Sequence, residues 1–470
     1  MESETEPVVL GPGLLVDLDR DGGPPLHDQL ETVLRGLVRS GRLPPGCKLP
    51  SSRALAAELG LSRGVVLEAY SQLAAEGYLV ARQGAPTRVA QTAAVERPPL
   101  PAAGLESRHR IEFDPALPDL AAFPRQAWAR AVRAALRDVP FASLGAGDPR
   151  GAPQLRNELM SYLGRVRAAA PEPEHTLVTA GSGSGLACLC RTLAARGVER
   201  IAVEDPGWAR RRLIIEAAGL EAVPVPVDGH GIDVGALAAS DCEVVVLTPA
   251  HQFPTGAVLS AERRGQLLEW AEDRDGLIAE DDYDSELRYD RGAVGSLQGL
   301  APERVCSFGS LAARLAPGLR LGWILAPSWL SGALTYEQGS TGAMPSVLEQ
   351  LALADFMQRG ELDRHLRRMR LRYRERREML LAALARRCPA ATVQGTPAGL
   401  FVMTTLPEGL VEERVLVAAG SLGVGLEGLS AHRIRADGPP GLVLGFANLS
   451  AALIEQGIAA LQGAIAASAM

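Results

Sequence analysis

The sequence predicts a multidomain protein in which a small α+β domain precedes a large α/β domain. Its 470 residues exceed the length of one typical domain. Residues 20–90 form a compact block with helical periodicity, and residues 91–110 are rich in Ala and Pro without periodicity, as in a linker. From 111 to 470, apolar runs typical of buried strands alternate with amphipathic helices, which indicates an α/β domain.

The N-terminal block predicts two short helices joined by a tight turn. Ser51 or Ser52 can cap the first helix, which ends at Gly60, and Ser62 can cap the second, which stops at Gly77. Apolar side chains recur at helical spacing through both segments, at Leu55, Leu59, Val66, Tyr70 and Leu73. A strand and a glycine turn follow in "YLVARQG", so the block predicts a winged helix-turn-helix.

Charge is distributed in a way that permits nucleic-acid binding by this block. The whole chain carries a net charge of −7, whereas residues 20–92 contain nine Lys or Arg against six Asp or Glu. A mildly basic segment on an acidic protein is compatible with DNA as a partner. The alternative, a helical packing module that never meets DNA, stays open at this point.

The large domain predicts several buried strands and long helices. The candidate strands are "RIAVED" at 200–205, "CEVVVLTP" at 242–249, "GLIAEDD" at 276–282 and "GWILAP" at 322–327. Helical periodicity marks 259–273 and 347–358. The arginine-rich run at 364–378 could form a second nucleic-acid surface. However, Leu366, Met369 and Tyr373 share one helical face, which favours a packed helix with a solvated arginine face.

Composition argues against a membrane or secreted protein. Hydrophobic residues make up 47% of the chain and charged residues 22%, enough for a sizeable core. We find no uninterrupted apolar run of about 18 residues, and the start, "MESETEPVV", is acidic and unlike a signal peptide. The six cysteines are scattered, with Cys188 and Cys190 as a lone C-x-C, so we expect reduced thiols, no metal site and a cytoplasmic location.

The N-terminal block resembles the winged helix of GntR-type transcription regulators. The pattern "LPPGxxLPSSRxLAxxLGxSRxxVxxAYxxLxxEGYL" runs through residues 43–79. The resemblance implies DNA-binding residues at Lys48, Ser52, Arg53, Ser62, Arg63 and, at the tip of the wing, Gly84. Arginines at helix starts suit phosphate contacts and bidentate base readout. Gly64 and Val65 replace the Asn-Thr pair of many relatives, which removes two polar contacts and leaves the operator sequence open.

The large domain resembles the fold-type I aminotransferases, which use pyridoxal phosphate. The motifs stand in the family's order: "LGAGDPRGAPQLRNEL" (144–159), "VTAGSGSGLACL" (178–189), "VEDPGW" (203–208), "TPAHQFPTGAVLS" (248–260), "EDDYDSELRYD" (280–290) and "LAPGLRLGW" (315–323). Joined to the winged helix, they make the whole chain similar to MocR/GabR-type regulators. That resemblance implies a DNA operator as partner, a small-molecule effector such as pyridoxal phosphate, an amino acid or an amine, and a homodimer.

The resemblance implies a cofactor site at Gly181, Ser182, Trp208, Asp281, Tyr283, Ser310 and Arg320. Backbone N–H groups at the helix start after Gly181 suit a phosphate, and Arg320 suits it through forked hydrogen bonds. Asp281 can keep a pyridine nitrogen protonated, and Tyr283 and Trp208 match the family's partners of the ring. Two alternatives stay open: "EDDYDSE" could be a set of solvated acids, and Trp208 could be a core residue.

The reactive lysine of the family is absent. It stands seven residues before the phosphate arginine and three after the serine, and both spacings lead from Arg320 and Ser310 to Ala313. Lys48 is the sole lysine of the chain, and the arginine at 314 keeps its proton. Because that lysine holds the cofactor and moves the substrate proton, we expect no catalytic residue, no efficient transamination and at most non-covalent binding of pyridoxal phosphate.

Three functions therefore compete. The first is a transcription regulator that senses a small ligand, the second a residual aminotransferase-type enzyme with an unanchored cofactor, and the third a ligand-blind dimerisation scaffold on a DNA-binding protein. His251, in "HQFPTG", is either an effector-binding residue or a hydrogen-bonded core histidine. Arg433 and Arg435 are either effector-binding or surface arginines.

Overall fold

The computed structural model describes residues 18–20, 23–81, 85–91, 109–290, 294–435 and 438–468. The chain divides into two compact units, Met1–Leu105 and Glu106–Met470. The helices are α1 Leu26–Arg39, α2 Ser52–Leu59, α3 Arg63–Ala75, α4 Arg125–Asp138, α5 Pro153–Arg167, α6 Ser182–Ala194, α7 Ala209–Ala217, α8 Val234–Ala238, α9 Ala261–Asp273, α10 Ser328–Thr341, α11 Val347–Gln358, α12 Glu361–Arg387, α13 Glu412–Ser421 and α14 Ala451–Ser468. The strands are β1 Leu79–Val80, β2 Arg88–Val89, β3 Ile111–Glu112, β4 Thr176–Thr179, β5 Arg200–Asp205, β6 Glu221–Asp228, β7 Gly231–Ile232, β8 Val244–Leu247, β9 Leu277–Asp282, β10 Val305–Ser310, β11 Gly322–Leu325, β12 Thr392–Gln394, β13 Phe401–Thr405, β14 Val424–Gly425, β15 Glu427–Gly428 and β16 Gly441–Gly445.

The first unit is a winged helix-turn-helix, as the sequence predicts. Ser51, rather than Ser52, caps α2, because its hydroxyl accepts the N–H of Ala54. Gly60 ends that helix with a φ of +61°, a conformation that glycine adopts without strain, and Ser62 caps α3. Strands β1 and β2 pair antiparallel as the wing, whose predicted tip, Gly84, lies outside the described residues.

The second unit contains a mixed eight-stranded sheet in the part of the chain that the structure describes. Its strand order is β4-β11-β10-β9-β8-β5-β6-β7. The pairs from β10 through β9, β8 and β5 to β6 are parallel, and β11, β4 and β7 join antiparallel. The four predicted strands correspond to β5, β8, β9 and β11, and the two predicted helices to α9 and α11. A smaller antiparallel sheet has the order β12-β13-β16-β15.

Helix α12 answers a question that the sequence left open, and helix α14 bears on the expectation that no segment spans a membrane. In α12, Leu366, Met369 and Tyr373 are buried, so this helix packs in the core. Arg367, Arg368 and Arg374 are exposed, whereas Arg376 is largely buried in an ion pair with Asp119. Among the described residues, α14 is long and apolar enough to cross a membrane by length and composition alone. It packs against α12 and α13, and its Glu455 pairs with Arg386 and Arg387. These contacts are those of a helix in a folded domain.

Candidate functional site

A cavity of about 300 Å³ lies at the carboxyl ends of β9 and β10. Parallel sheets bind ligands at this edge, because the loops that leave the strands diverge there. The cavity is lined by residues that follow β4, β9 and β10 and by the start of α7: Pro115, Ala116, Ala180, Gly181, Ser182, Gly183, Ser184, Trp208, Arg210, Arg211, Ile214, Tyr283, Ser310, Ala312, Ala313, Pro317, Arg320, Leu321 and Leu400. It thus joins six of the seven predicted cofactor residues, and the seventh, Asp281, lies behind Arg211.

One end of the cavity is built to receive an anion. Helix α6 begins there at Ser182, after Gly181 with a φ of +97°, and no side chain caps it. The N–H groups of its first turn therefore remain available to a ligand, and the helix dipole favours negative charge. A Cβ at Gly322 would lie 2.8 Å from the Cα of Gly181, so this close approach requires glycine. Ser310 and Arg320 line the same cavity and supply a hydroxyl and a guanidinium.

The position of the missing lysine faces the cavity. Ala313 lines it and is 7% exposed. Arg314 points the other way and is buried: its guanidinium contacts Glu286 at 2.6 and 3.0 Å and donates to the carbonyl of Ser310 at 2.8 Å. Burial alone would lower the pKa of Arg314, but the carboxylates of Glu286 and Asp282 raise it above its ordinary value. The adjacent arginine therefore offers the cavity neither an amine nor a base.

Aromatic side chains form one wall of the cavity. Trp208 is half-buried, stacks on Phe253 at 4.6 Å and meets Tyr283 edge-on at 5.4 Å. The Tyr283 hydroxyl donates to the carbonyl of His251 at 2.9 Å. Burial, with carboxylates nearby, raises the pKa of Tyr283 well above its ordinary value, so the hydroxyl keeps its proton. Trp208 thus packs against core aromatic residues and also lines the cavity.

The acids of "EDDYDSE" are not a solvated cap, because Asp281, Asp282 and Asp284 are each at most 5% exposed. Asp281 forms an ion pair with Arg211, whose Nη2 also donates to the Ser182 hydroxyl at 3.0 Å. Burial raises the pKa of Asp281, and the Arg211 guanidinium opposes that rise. The predicted partner of a ring nitrogen therefore already has a partner within the chain.

Sequence reasoning missed Arg211. It lies three residues after Trp208, on the same side of α7, in the run "ARRRL". Its guanidinium carbon is 5.1 Å from the centre of the Trp208 ring. Spacing alone places an arginine beside the stacking residue, but only the fold shows that it reaches Asp281.

A further buried carboxyl, that of Glu204, lies close to Trp208 and Asp281. Glu204, near the end of β5, is 7% exposed and accepts the N–H of Thr248 at 3.0 Å and its hydroxyl at 2.7 Å. Burial raises the pKa of Glu204 to about 7, and the hydrogen bonds from Thr248 hold it below a still higher value. The pKa of Glu204 therefore lies near neutrality, and Glu204 is not among the residues that line the cavity.

The three predicted effector residues do not line the cavity. His251 is 2% exposed; its Nδ1 lies 2.7 Å from the Asp284 carboxylate, and its ring stacks on Phe401, as in a hydrogen-bonded core histidine. Arg433 donates to the carbonyls of Gly438 and Pro439 at 3.2 and 2.6 Å. Arg435 is exposed, so effector binding by these residues stays a prediction.

Gly84 lies outside the described residues, and the other predicted DNA-binding residues are exposed or partly exposed on the winged-helix unit. Lys48, Arg53 and Arg63 are exposed, Arg53 in the first turn of α2 and Arg63 at the start of α3. Arg63 Nε lies 3.5 Å from the Ser52 hydroxyl. Within the described residues, we find no hydrogen bond or ion pair from the side chains of Lys48 and Arg53. The positive charges of Lys48 and Arg53 are therefore available to contact DNA phosphates.

The described residues contain no group of three or more His, Cys, Asp or Glu side chains suited to a metal ion. The absence of a metal site stays a prediction for the whole chain. Cys188 and Cys190 form no disulfide, and both are buried in the core around α6.

Comparison with known proteins matches each unit to a family. The gntR family of bacterial regulatory proteins matches residues 26–89, and the class I and II aminotransferases match residues 119–461. The chain is 34% identical to the "probable rhizopine catabolism regulatory protein MocR" of Rhizobium meliloti, over 96% of each chain. It is also 34% identical to the pyridoxine biosynthesis transcriptional regulator PdxR of Corynebacterium glutamicum, over 89% of this chain and 91% of the relative.

The large unit also resembles solved enzymes in fold. The kynurenine aminotransferase of Pyrococcus horikoshii superimposes with a TM-score of 0.69 at 24% identity, over 76% of this chain and 91% of the enzyme. At this identity the likeness concerns the fold alone. The relatives that match along nearly the whole chain are transcription regulators. The chain therefore belongs to the MocR-type regulators, in which a GntR-family helix-turn-helix domain precedes a class I and II aminotransferase domain.

Proposed function

We propose that the large domain of this regulator senses a small phosphate-bearing ligand without catalysing transamination. The GntR-family domain implies DNA binding, and the aminotransferase domain would set its strength according to the ligand. The observation that carries the proposal is an anion cradle preserved around Ala313: the uncapped start of α6, Ser310 and Arg320 line the same cavity.

Pyridoxal phosphate fits this cradle in size and charge. Its phosphate would meet the α6 N–H groups, the Ser310 hydroxyl and the Arg320 guanidinium, and Trp208 would stack on its ring. When bound, the cofactor supplies an electron-withdrawing ring. One relative is named for pyridoxine biosynthesis, which supports vitamin B6 compounds as the first ligands to test.

The absence of a usable base supports a role in binding rather than turnover. The chain has no lysine beyond Lys48, and Arg314 is committed to Glu286 and to backbone carbonyls. Removal of a general base commonly costs about 10²–10⁴-fold in rate. We therefore propose that the ligand binds non-covalently. From the family resemblance, we also propose that the protein is a cytoplasmic homodimer.

A DNA-binding assay tests the proposal directly. The purified chain should shift a fragment of its own upstream DNA, and saturating pyridoxal phosphate or an amino compound should change the apparent affinity. Borohydride treatment followed by mass spectrometry should find no pyridoxyl group at position 313. DNA affinity that stays constant across vitamers and amines would favour the ligand-blind scaffold. Steady turnover of an amino donor with a keto acid would favour the enzyme.

Replacing Ala313 by Lys should restore covalent capture of pyridoxal phosphate. Ala313 already faces a cavity of about 300 Å³, so the new amine would lie beside the anion cradle. We expect a borohydride-trapped adduct on one peptide, at residue 313, where the parent chain has none. Ala312→Lys, which also introduces an amine at the cavity wall, is the matched control and should be trapped far less. Equal trapping at both positions would contradict the assignment of position 313 to the family's lysine.

A further inference from the structure

The ion pair between Arg211 and Asp281 changes what the cavity can recognise. Asp281 is 4% exposed at the end of β9, and the Arg211 side chain is 14% exposed. The same guanidinium also donates to the Ser182 hydroxyl and lies over Trp208. Three different elements therefore hold Arg211 in place: the end of β9, the start of α6 and the residue before α7.

The carboxylate has one charge to balance, and Arg211 balances it. A buried carboxylate is costly without a cation, and a guanidinium is protonated at any relevant pH. A protonated ring nitrogen at the same carboxylate would bring a second positive charge beside the Arg211 guanidinium, and the single negative charge of Asp281 cannot balance both. The Arg211 guanidinium is thus a permanent positive charge beside Asp281, where the protonated ring nitrogen of a pyridine cofactor would otherwise provide one.

The rest of the cavity also favours negative charge. Its lining contains Arg210, Arg211 and Arg320, and none of its lining residues is an Asp or Glu. The uncapped start of α6 adds backbone N–H donors at the same side. A ligand is therefore recognised by its anionic group and by a flat surface against Trp208.

We propose that Arg211 is a specificity-determining residue: it supplies the positive charge beside Asp281 that a protonated ring nitrogen of the ligand would otherwise supply. The cavity therefore accepts aromatic phosphate monoesters whether or not their ring contains a basic nitrogen. This inference rests on the ligand site proposed above. It gives the site a ligand class, aromatic phosphate monoesters, that is wider than pyridine cofactors.

The test compares two ligands that differ at one ring atom. Pyridoxal phosphate and its 1-deaza analogue, which has C–H in place of the ring nitrogen, are titrated into the full-length protein by calorimetry. The parent chain should bind both within about threefold of each other, a difference well below one charge-assisted hydrogen bond. A preference of about tenfold or more for pyridoxal phosphate would overturn the inference.

Removing the Arg211 side chain should create a preference for pyridoxal phosphate over its 1-deaza analogue. In Arg211→Ala the carboxyl of Asp281 becomes free to pair with the ring nitrogen, and pyridoxal phosphate should gain about tenfold over the deaza analogue. Arg212→Ala is the matched control, since Arg212 contacts Glu216 and the carbonyl of Arg433 instead. Unchanged discrimination in Arg211→Ala would also overturn the inference. Arg211→Gln keeps a donor near Ser182 and repeats the test if the alanine variant does not fold.

The outcomes separate the two proposals. If neither ligand binds the parent chain or any variant with saturation, the proposed ligand site fails, and the inference fails with it. If both bind and the parent chain discriminates between them, only the inference fails. Binding of pyridoxal phosphate to Arg211→Ala but not to the parent chain would overturn the inference, because the parent chain is expected to bind both ligands with Arg211 in place.

Discussion

The charged residues of the winged helix and those of the large domain are arranged in opposite ways. Lys48, Arg53 and Arg63 are exposed, and within the described residues none is in an ion pair. Around the cavity, Asp281 and Arg314 are buried and each is paired with an opposite charge. Exposed charges of the first kind can contribute to recognition without stabilising the fold. Buried pairs of the second kind are part of the fold itself.

This difference predicts that substitutions will separate binding from stability in the winged helix and combine them in the large domain. A surface charge loses little when its partner is absent, because water solvates it. A buried charge whose partner is removed has no such compensation. The four predictions below test that contrast, from the largest expected effect to the smallest.

Arg314→Ala should destabilise the protein by about 3–5 kcal/mol, because it leaves the buried Glu286 without its cation, whereas Asp282 keeps its ion pair with Arg167. Urea denaturation followed by circular dichroism measures the loss. Arg374→Ala, on an exposed position of α12, is the control and should change the free energy of unfolding by less than about 0.5 kcal/mol. Similar losses in both variants would mean that the buried pairs contribute no more than surface arginines.

The same contrast explains which features the sequence could predict. The caps and glycines of α2 and α3, and the strands β5, β9 and β11, follow from local periodicity and turn chemistry, and they lie where expected. The position of Ala313 follows from spacing within one loop. These features depend on residues close together in the chain.

Contacts between distant segments were the part that the sequence could not predict. Arg211 reaches Asp281 across 70 positions, and His251 turns towards Asp284 instead of the cavity. Whether a carboxylate near a cavity is free or paired depends on the distances between elements, which periodicity does not encode. Arg433 shows the same limit, since only the folded loop shows its hydrogen bonds to Gly438 and Pro439.

The buried Glu204 should make stability depend on pH. Its folded pKa of about 7 lies above the ordinary value of 4.5, so the folded state binds the proton more tightly than the unfolded state. The resulting stabilisation is complete below about pH 4.5 and is lost as pH rises to about 7, a loss on the order of 2–3 kcal/mol.

Glu204→Gln should remove that contribution while keeping an acceptor for Thr248. The free energy of unfolding, measured by urea denaturation between pH 5 and pH 8, should then fall less with rising pH than in the parent chain. Glu272→Gln, at an exposed position of α9, is the control and should leave the slope unchanged. Parallel pH profiles for the parent chain and Glu204→Gln would show that Glu204 titrates at an ordinary pH.

Arg63→Ala should weaken operator binding by about 1–3 kcal/mol and leave the melting temperature unchanged. The side chain is exposed at the start of α3, so its loss removes a DNA contact without opening the core. Fluorescence anisotropy on the upstream fragment at several salt concentrations measures the affinity. Arg42→Ala, an exposed arginine after α1, should have a smaller effect. A large fall in melting temperature for Arg63→Ala would place it among the structural residues.

The adjacent serines Ser51 and Ser52 give the finest test of the contrast. Ser51→Ala removes the cap of α2 and should raise amide exchange in residues 52–59 about fivefold, which corresponds to about 1 kcal/mol. Ser52→Ala keeps the cap and should leave exchange unchanged while lowering DNA affinity, because its hydroxyl lies 3.5 Å from Arg63 Nε. Hydrogen exchange by mass spectrometry and anisotropy on the full-length chain give both readouts. If Ser52→Ala raised amide exchange as much as Ser51→Ala, DNA binding and helix stabilisation would not be separate roles here. A residue expected to contact DNA would then also stabilise α2.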